Sequence, residues 1–234
     1  MDKRIANAEA AVARIQDGAT ILMGGFGASG VPENLIRALS RQGTKNLTVV
    51  SNNAGIAGYG IDLLLRNKQV KKMVASFVGG NKTFEQLALK KEIDLELNPQ
   101  GTLAERIRCG GAGIPAFFTP TGYGTVAAEG KEVRQFNGRP HILVPSLRGD
   151  AAFVKAWKGD RWGNLVYRKT ARNYNAVMAT AADYVIAEVE HLVELGELEP
   201  DSVHTPSIYV DAILQGERYE KPIEIRTVRK REVA

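Results

Sequence analysis

The sequence predicts an α/β fold, a single domain with a mainly parallel sheet flanked by helices and some antiparallel hairpin in the second half. Three observations predict it. Short β-rich runs alternate with amphipathic segments through the first half of the chain. Short glycine- or proline-bearing turns separate them, as in a parallel sheet covered by helices. Further on, Asn137-Gly138 lies between two β-rich runs, a strong two-residue hairpin signal.

Taken in order, residues 3–16 read as a helix with Ile5, Ala8, Val12 and Ile15 on one face, ended by Asp17-Gly18. Thr20–Met23 is a short strand running into a glycine loop. Pro32 then stands where a helix begins, with Glu33 placed to favour its positive end, and Gly43 closes that helix. Leu47–Val50 is the second strand, with the loop 51–55 at its end. A helix over 61–68, a strand at 73–78, a helix from Thr83 to about Lys91 and a strand at 93–97 follow. Asn98-Pro99-Gln100-Gly101 forms the next loop, and Thr102 with Glu105 has the spacing of a capping box for a helix over 103–109.

The second half changes character. Residues 110–124 read as a long loop rich in glycine, proline and aromatics. Residues 131–136 and 141–144 flank the Asn137-Gly138 turn. Residues 152–157 and 165–168 form a second strand pair, followed by a helix near 173–182 and a strand at 184–188. No linker or internal repeat divides the chain, so residues 1–234 read as one domain with a basic tail from about 217 to 234.

Composition excludes several function classes. The chain has 234 residues, 44% of them hydrophobic and 24% charged, with a net charge of +5. That is an ordinary balance for a soluble globular protein. Arg226, Arg229, Lys230 and Arg231 put much of the positive excess in the tail, and no reader motif accompanies it, so nucleic acid is not an expected partner. The start carries no apolar leader and no run is long enough to span a bilayer, so no membrane association is expected. Cys109 is the only cysteine, which suits the cytoplasm and forbids an internal disulfide.

The stretch Gly25-Phe26-Gly27-Ala28-Ser29-Gly30 has the G-x-G-x-x-G spacing between a strand and a helix. A helix N-terminus behind such a turn suits phosphates or carboxylates. A dinucleotide site also needs an acidic residue at the end of the second strand, and Ser51-Asn52-Asn53 stands there instead. The motif therefore leaves open a nicotinamide-dependent oxidoreductase, a purely structural turn, and other acyl or phosphate chemistry.

Several segments together resemble family I CoA-transferases, in the A-subunit half. They are Asp17-Gly18-x-x-Ile21-Leu22-Met23-Gly24-Gly25-Phe26-x-x-x-Gly30-x-Pro32, SNNAG at 51–55, the run 98–125 beginning NPQGTLAERIRCGG, EVRQFNG at 132–138, GDAAFVKAWKGDRWGNLVYRKTARNYN at 149–175 and HTPSIYV at 204–210. The likeness covers nearly the whole chain in order. It looks closest to the succinyl-CoA:3-oxoacid (acetoacetate) branch, with 3-oxoadipate CoA-transferases as the near neighbour.

The resemblance implies ping-pong transfer of CoA from an acyl-CoA to a carboxylate through a glutamate, with no metal and no tightly bound cofactor; the coenzyme A thioester is itself a substrate. In that family the glutamate lies in a Ser-Glu-Asn-Gly motif of the B half, which this chain lacks. A B subunit is therefore the expected partner, in an α2β2 assembly. On the A side, Gln100 and Asn52 match the polar residues facing the reacting carboxyl groups, where neutral donors stabilise an oxyanion. Asn53 is expected to touch substrate. Gly24, Gly25, Phe26, Gly27, Ala28, Ser29 and Gly30 match the stretch associated with CoA binding.

Other candidates have simpler roles. Glu33 reads as a helix-start charge, Glu129 as a loop residue and Glu105 as a cap. Cys109, with no histidine near it in sequence, reads as a small buried residue. His141, His191 and His204 lack metal-ligand spacing. Trp157, Trp162 and Phe117-Phe118 read as packing or interface residues, while the role of Tyr123 stays open. A non-catalytic CoA-ester-binding module is the remaining alternative from a different class.

Overall fold

The structure, a computed structural model, describes residues 1–224. The basic cluster Arg226, Arg229, Lys230 and Arg231 lies outside the described residues. The chain order is α1 (Ala8–Val12), β1 (Thr20–Met23), α2 (Glu33–Gln42), β2 (Leu47–Val50), α3 (Asp62–Arg66), β3 (Val70–Ala75), α4 (Lys82–Leu89), β4 (Asp94–Leu97) and α5 (Gln100–Gly111). Then come β5 (Ala116–Thr119), β6 (Val133–Phe136), β7 (Arg139–Pro145), β8 (Gly149–Asp160), β9 (Leu165–Val166), α6 (Asn175–Met178), β10 (Ala182–Val193) and β11 (Ala212–Gln215).

The main sheet runs β11-β10-β8-β1-β2-β3-β4 with all of these pairs parallel, and β9 pairs antiparallel to β8. Parallel strands bury both faces, and two apolar clusters cover them. One face packs Leu35, Ile36 and Leu39 of α2 with Ile21, Met23, Val49 and Phe84. The other packs Leu103 and Ile107 of α5 with Leu22, Val50, Val74 and Met178. β5, β7 and β6 form a separate antiparallel three-stranded sheet. Its β6–β7 turn holds Asn137 at φ 50° and Gly138 at φ 72°, the backbone a two-residue hairpin demands.

Several expectations are corrected. The first helix covers only Ala8–Val12, because Asn7 caps it through its Oδ1 on Ala10 N–H (2.8 Å) and Arg4 lies extended in a bridge to Ile213. β3 starts at Val70 rather than Met73, just after the left-handed turn residue Lys68 (φ 54°). Thr102 and Glu105 form no capping box: Pro99 is the cap and Gln100 already begins α5. Thr102 is thus inside the helix, and Glu105 pairs with Arg108 at 2.7 Å. The loop 110–124 contains β5, and the helix near 173–182 is a short 3-10 turn at 169–172 followed by α6. The strand at 184–188 is the inner part of the twelve-residue β10.

Candidate functional site

Because β1, β2, β3 and β4 run parallel, the loops after them meet at one edge of the sheet, where open α/β sheets bind ligands. Asn52 follows β2 and Gln100 opens α5 beyond β4. The structure brings them together: Gln100 Nε2 donates to Asn52 Oδ1 at 3.2 Å. Ser76, at the end of β3, donates its hydroxyl to the same Oδ1 at 2.8 Å, and its N–H donates to the Asn52 carbonyl at 2.9 Å. With Oδ1 so engaged, Asn52 presents Nδ2 as its outward donor. Asn52 is buried and Gln100 exposed, so the pair forms a fixed floor and a reachable rim. Tyr174 donates its hydroxyl to the Gln100 carbonyl at 2.9 Å, which braces the start of α5 from the opposite side.

Asn53 lies next to this pair but serves the loops. Its Oδ1 accepts from Gly27 N–H (3.1 Å) and Gly55 N–H (3.3 Å), tying the β1 and β2 loops together. The glycine loop, residues 24–30, is held from across the molecule by two further asparagines. Asn173 accepts from Gly25 N–H at 3.1 Å and donates to the Ser29 carbonyl at 3.0 Å. The fully buried Asn175 donates to the Gly30 carbonyl at 2.9 Å. Phe26 and Ser29 exchange both backbone hydrogen bonds at 3.0 Å. Most of the loop's N–H groups therefore serve to shape it, and a phosphate cradle of the dinucleotide kind is not built here.

The helix behind the loop is also occupied. Glu188, from β10 and fully buried, accepts Leu35 N–H at 2.8 Å and Asn34 Nδ2 at 3.1 Å at the start of α2. Burial pushes its carboxyl up to about 7, against those hydrogen bonds, with the nearby Glu33 charge adding to the rise. Glu33 itself is 2% exposed, pairs with Arg37 at 3.0 Å and accepts the Glu220 N–H with both oxygens. It is a helix-start charge, as its position predicts, and it also anchors the segment after β11.

Cys109 is buried; burial first, then the neighbouring Glu105, holds its thiol above the ordinary range, so it is no thiolate nucleophile. Among the described residues no group of three or more His, Cys, Asp or Glu side chains is placed to hold a metal.

Sequence reasoning missed Ser76, Tyr174, Asn173, Asn175 and Glu188. Asn173 and Asn175 stood within the stretch 149–175 that carries the resemblance. Nothing local marked their partners, which lie 148 and 145 residues away.

A family model described as coenzyme A transferase matches residues 5–216 of this architecture. The chain belongs to that family.

Curated relatives of this coenzyme A transferase chain include the A-subunit chain of the probable succinyl-CoA:3-ketoacid coenzyme A transferase of Bacillus subtilis. It is 55% identical over 98% of this chain and 97% of its own length. The human mitochondrial succinyl-CoA:3-ketoacid coenzyme A transferase 2 is 50% identical over 93% of this chain, but the match spans only 46% of that longer protein. Among solved structures, an acyl-CoA transferase of Escherichia coli O157:H7 in a thioester complex with CoA superposes with a TM-score of 0.82 at 23% identity. It covers 92% of this chain and 47% of that one, which supports the fold. The CoA-transferase expectation drawn from the motifs is thereby borne out.

Proposed function

We propose that this chain is the A half of a succinyl-CoA:3-oxoacid CoA-transferase, with acetoacetate as the acceptor class. The observation that carries the reading is the Asn52–Gln100 pair, fixed by Ser76 at the strand ends. The chain contributes neutral donors and the partner contributes the nucleophile. A glutamate carboxylate from the B chain attacks the succinyl thioester carbonyl. The tetrahedral oxyanion collapses to a succinyl-glutamyl anhydride and CoA thiolate. The thiolate attacks the glutamyl carbonyl, releasing succinate and leaving a glutamyl-CoA thioester. Acetoacetate then attacks that thioester carbonyl to give a second anhydride and thiolate. Return of the thiolate to the acetoacetyl carbonyl frees the glutamate. Each attack places negative charge on one oxygen, which Asn52 Nδ2 and the remaining Gln100 N–H stabilise without neutralising the nucleophile. Asn53 and the glycine loop hold the floor of this site in place, and the acyl-CoA lies over residues 24–30.

Three exposed apolar side chains at the same edge, Phe26, Phe77 and Leu97, form a surface for the B chain to cover. We place the assembly as α2β2 in the cytosol, in keeping with the lone cysteine; no helix among the described residues is long and apolar enough to cross a membrane. The nicotinamide alternative is disfavoured by the asparagines after β2 and by Glu188 filling the α2 N-terminus.

The test is acetoacetyl-CoA formation from succinyl-CoA and acetoacetate, with this chain alone and with a co-expressed B chain bearing Ser-Glu-Asn-Gly. Activity in the mixture only is the expected result. Activity of this chain alone overturns the borrowed nucleophile, and an inactive proven complex overturns the substrate assignment.

A further inference from the structure

The segment just before α6 reaches both halves of the site. Asn173 and Asn175 hold the glycine loop, while the residue between them reaches α5 instead. The Tyr174 hydroxyl donates to the carbonyl of Gln100, 74 residues back in sequence, at 2.9 Å.

Tyr174 is built to keep that contact. It is 6% exposed and packs in the same apolar cluster as Leu103 and Ile107 of α5 and Met178 of α6. Its backbone is pinned at both groups: its N–H donates to Asn173 Oδ1 at 2.7 Å, and its carbonyl accepts Met178 N–H at 3.0 Å. The adjoining Asn175, fully buried, accepts Lys155 N–H at 2.8 Å and donates to the Ala171 carbonyl at 3.0 Å. A ring so enclosed has little rotamer freedom left, so its hydroxyl meets Gln100 already oriented. Burial pushes the phenol up to about 12, against the pull of the nearby Ser76 hydroxyl, so it keeps its proton to donate.

Gln100 needs such a tie. Pro99 has no N–H and caps α5 without a side-chain hydrogen bond. A Cβ at Gly101 would meet nothing within 4 Å, so the other neighbour of Gln100 faces open space. The Gln100 side chain is exposed, and its amide reaches Asn52 Oδ1 at 3.2 Å, the long end of the range for such a bond. A small drift of the backbone would break it. Ser76 holds the Asn52 member of the pair, and Tyr174 holds the Gln100 member from a different element of the fold.

We propose that Tyr174 is a positioning residue of the transfer reaction, acting through Gln100: its hydroxyl fixes the first residue of α5 so that the Gln100 amide stays in register with Asn52. The proposal rests on the CoA-transferase reading above. Tyr174 acts on the donor and not on the substrate.

The test compares four forms of the assembled two-chain enzyme: wild type, Tyr174→Phe, Gln100→Ala and the double variant. Tyr174→Phe keeps the ring and its packing and removes only the hydroxyl. Loss of one hydrogen bond predicts a fall in kcat of about three- to tenfold, with KM for succinyl-CoA within about twofold. On the Gln100→Ala background the same substitution changes kcat by less than about twofold, because the group it positions is gone. A ring that merely packs would lower kcat equally on both backgrounds, and that result overturns the proposal. So does an unchanged kcat in the single variant. Amide hydrogen exchange gives a reading that needs no turnover. In Tyr174→Phe a peptide over the first turn of α5 exchanges about threefold faster or more, while one over residues 24–30 exchanges as before. If the wild-type complex transfers no CoA, the reaction assignment fails and the exchange alone decides whether Tyr174 holds Gln100. Equal exchange in the two proteins overturns the tie whatever the reaction.

Discussion

Gln100 and Asn52, 48 residues apart in sequence, share a hydrogen bond of 3.2 Å between their side-chain amides, one at the start of α5 and the other in the loop after β2. Each amide orients the other. Replacing Gln100 by alanine removes one donor and leaves Asn52 Oδ1 held by the Ser76 hydroxyl alone. Turnover of the assembled enzyme is expected to fall by about tenfold or more, the scale of losing one transition-state donor. Unchanged steady-state kcat would reduce Gln100 to a loop residue.

Ser76 acts through Asn52. Its hydroxyl, 2.8 Å from Asn52 Oδ1, fixes which way the amide faces. Ser76→Ala is expected to lower kcat by about three- to tenfold, the net value of one hydrogen bond, with KM for succinyl-CoA little changed. Ser76→Thr keeps the hydroxyl and restores turnover. Equal loss in both variants would point to packing instead of orientation.

Gly24 admits no side chain. A Cβ there would lie 1.9 Å from Asn175 Oδ1, the atom that also accepts Lys155 N–H at 2.8 Å. Gly24→Ala should cost about 3 kcal/mol through overpacking, a loss of about 6–12 °C in Tm. Thermal unfolding of the purified chain decides it, and an unshifted Tm would mean that Asn175 gives way freely.

Glu188 makes stability depend on pH in an unusual direction for a carboxylate. Its folded value, about 7, lies above its ordinary 4.5, so the native state binds the proton more tightly than the unfolded chain. The stabilisation is fully present below about 4.5 and is lost as pH rises through about 7, amounting to about 3 kcal/mol. Chemical denaturation of wild type and Glu188→Gln across this window checks the sign. The stability difference between the two should slope in that window and level off above it, and a flat difference would refute the buried-acid account.

The parts of the fold that were legible in the sequence are those with local signals. β1 and β2 run over the expected residues, and α2 ends at Gly43, left-handed at φ 78°. Short parallel strands between helices announce themselves by apolar runs and glycine stops. The long strands β8 and β10 were seen only in part because charges interrupt their apolar runs. Lys155, Asp160 and Glu188 look like surface residues in sequence, and only the folded chain shows them buried against partners. The site divides the same way. Asn52 and Gln100 were legible through the family likeness, and the structure brings them into contact. Their supports, Ser76 and Tyr174, were not, since a serine after a strand and a tyrosine in a mixed loop carry no local sign of what they will meet.

The strand order has a consequence for how the chain comes off the ribosome. β1 pairs on one side with β2, which emerges soon after it, and on the other with β8. Thr20, at the start of β1, waits for Asp150, 130 residues on, to accept its N–H. Until then one edge of β1 is open and much of its apolar face uncovered. The extended segment at Arg4 waits longer still, for Ile213. The central strand therefore stays paired on one side only until the segment around residue 150 has emerged, and a nascent chain stalled midway presents a sticky half-sheet to its neighbours.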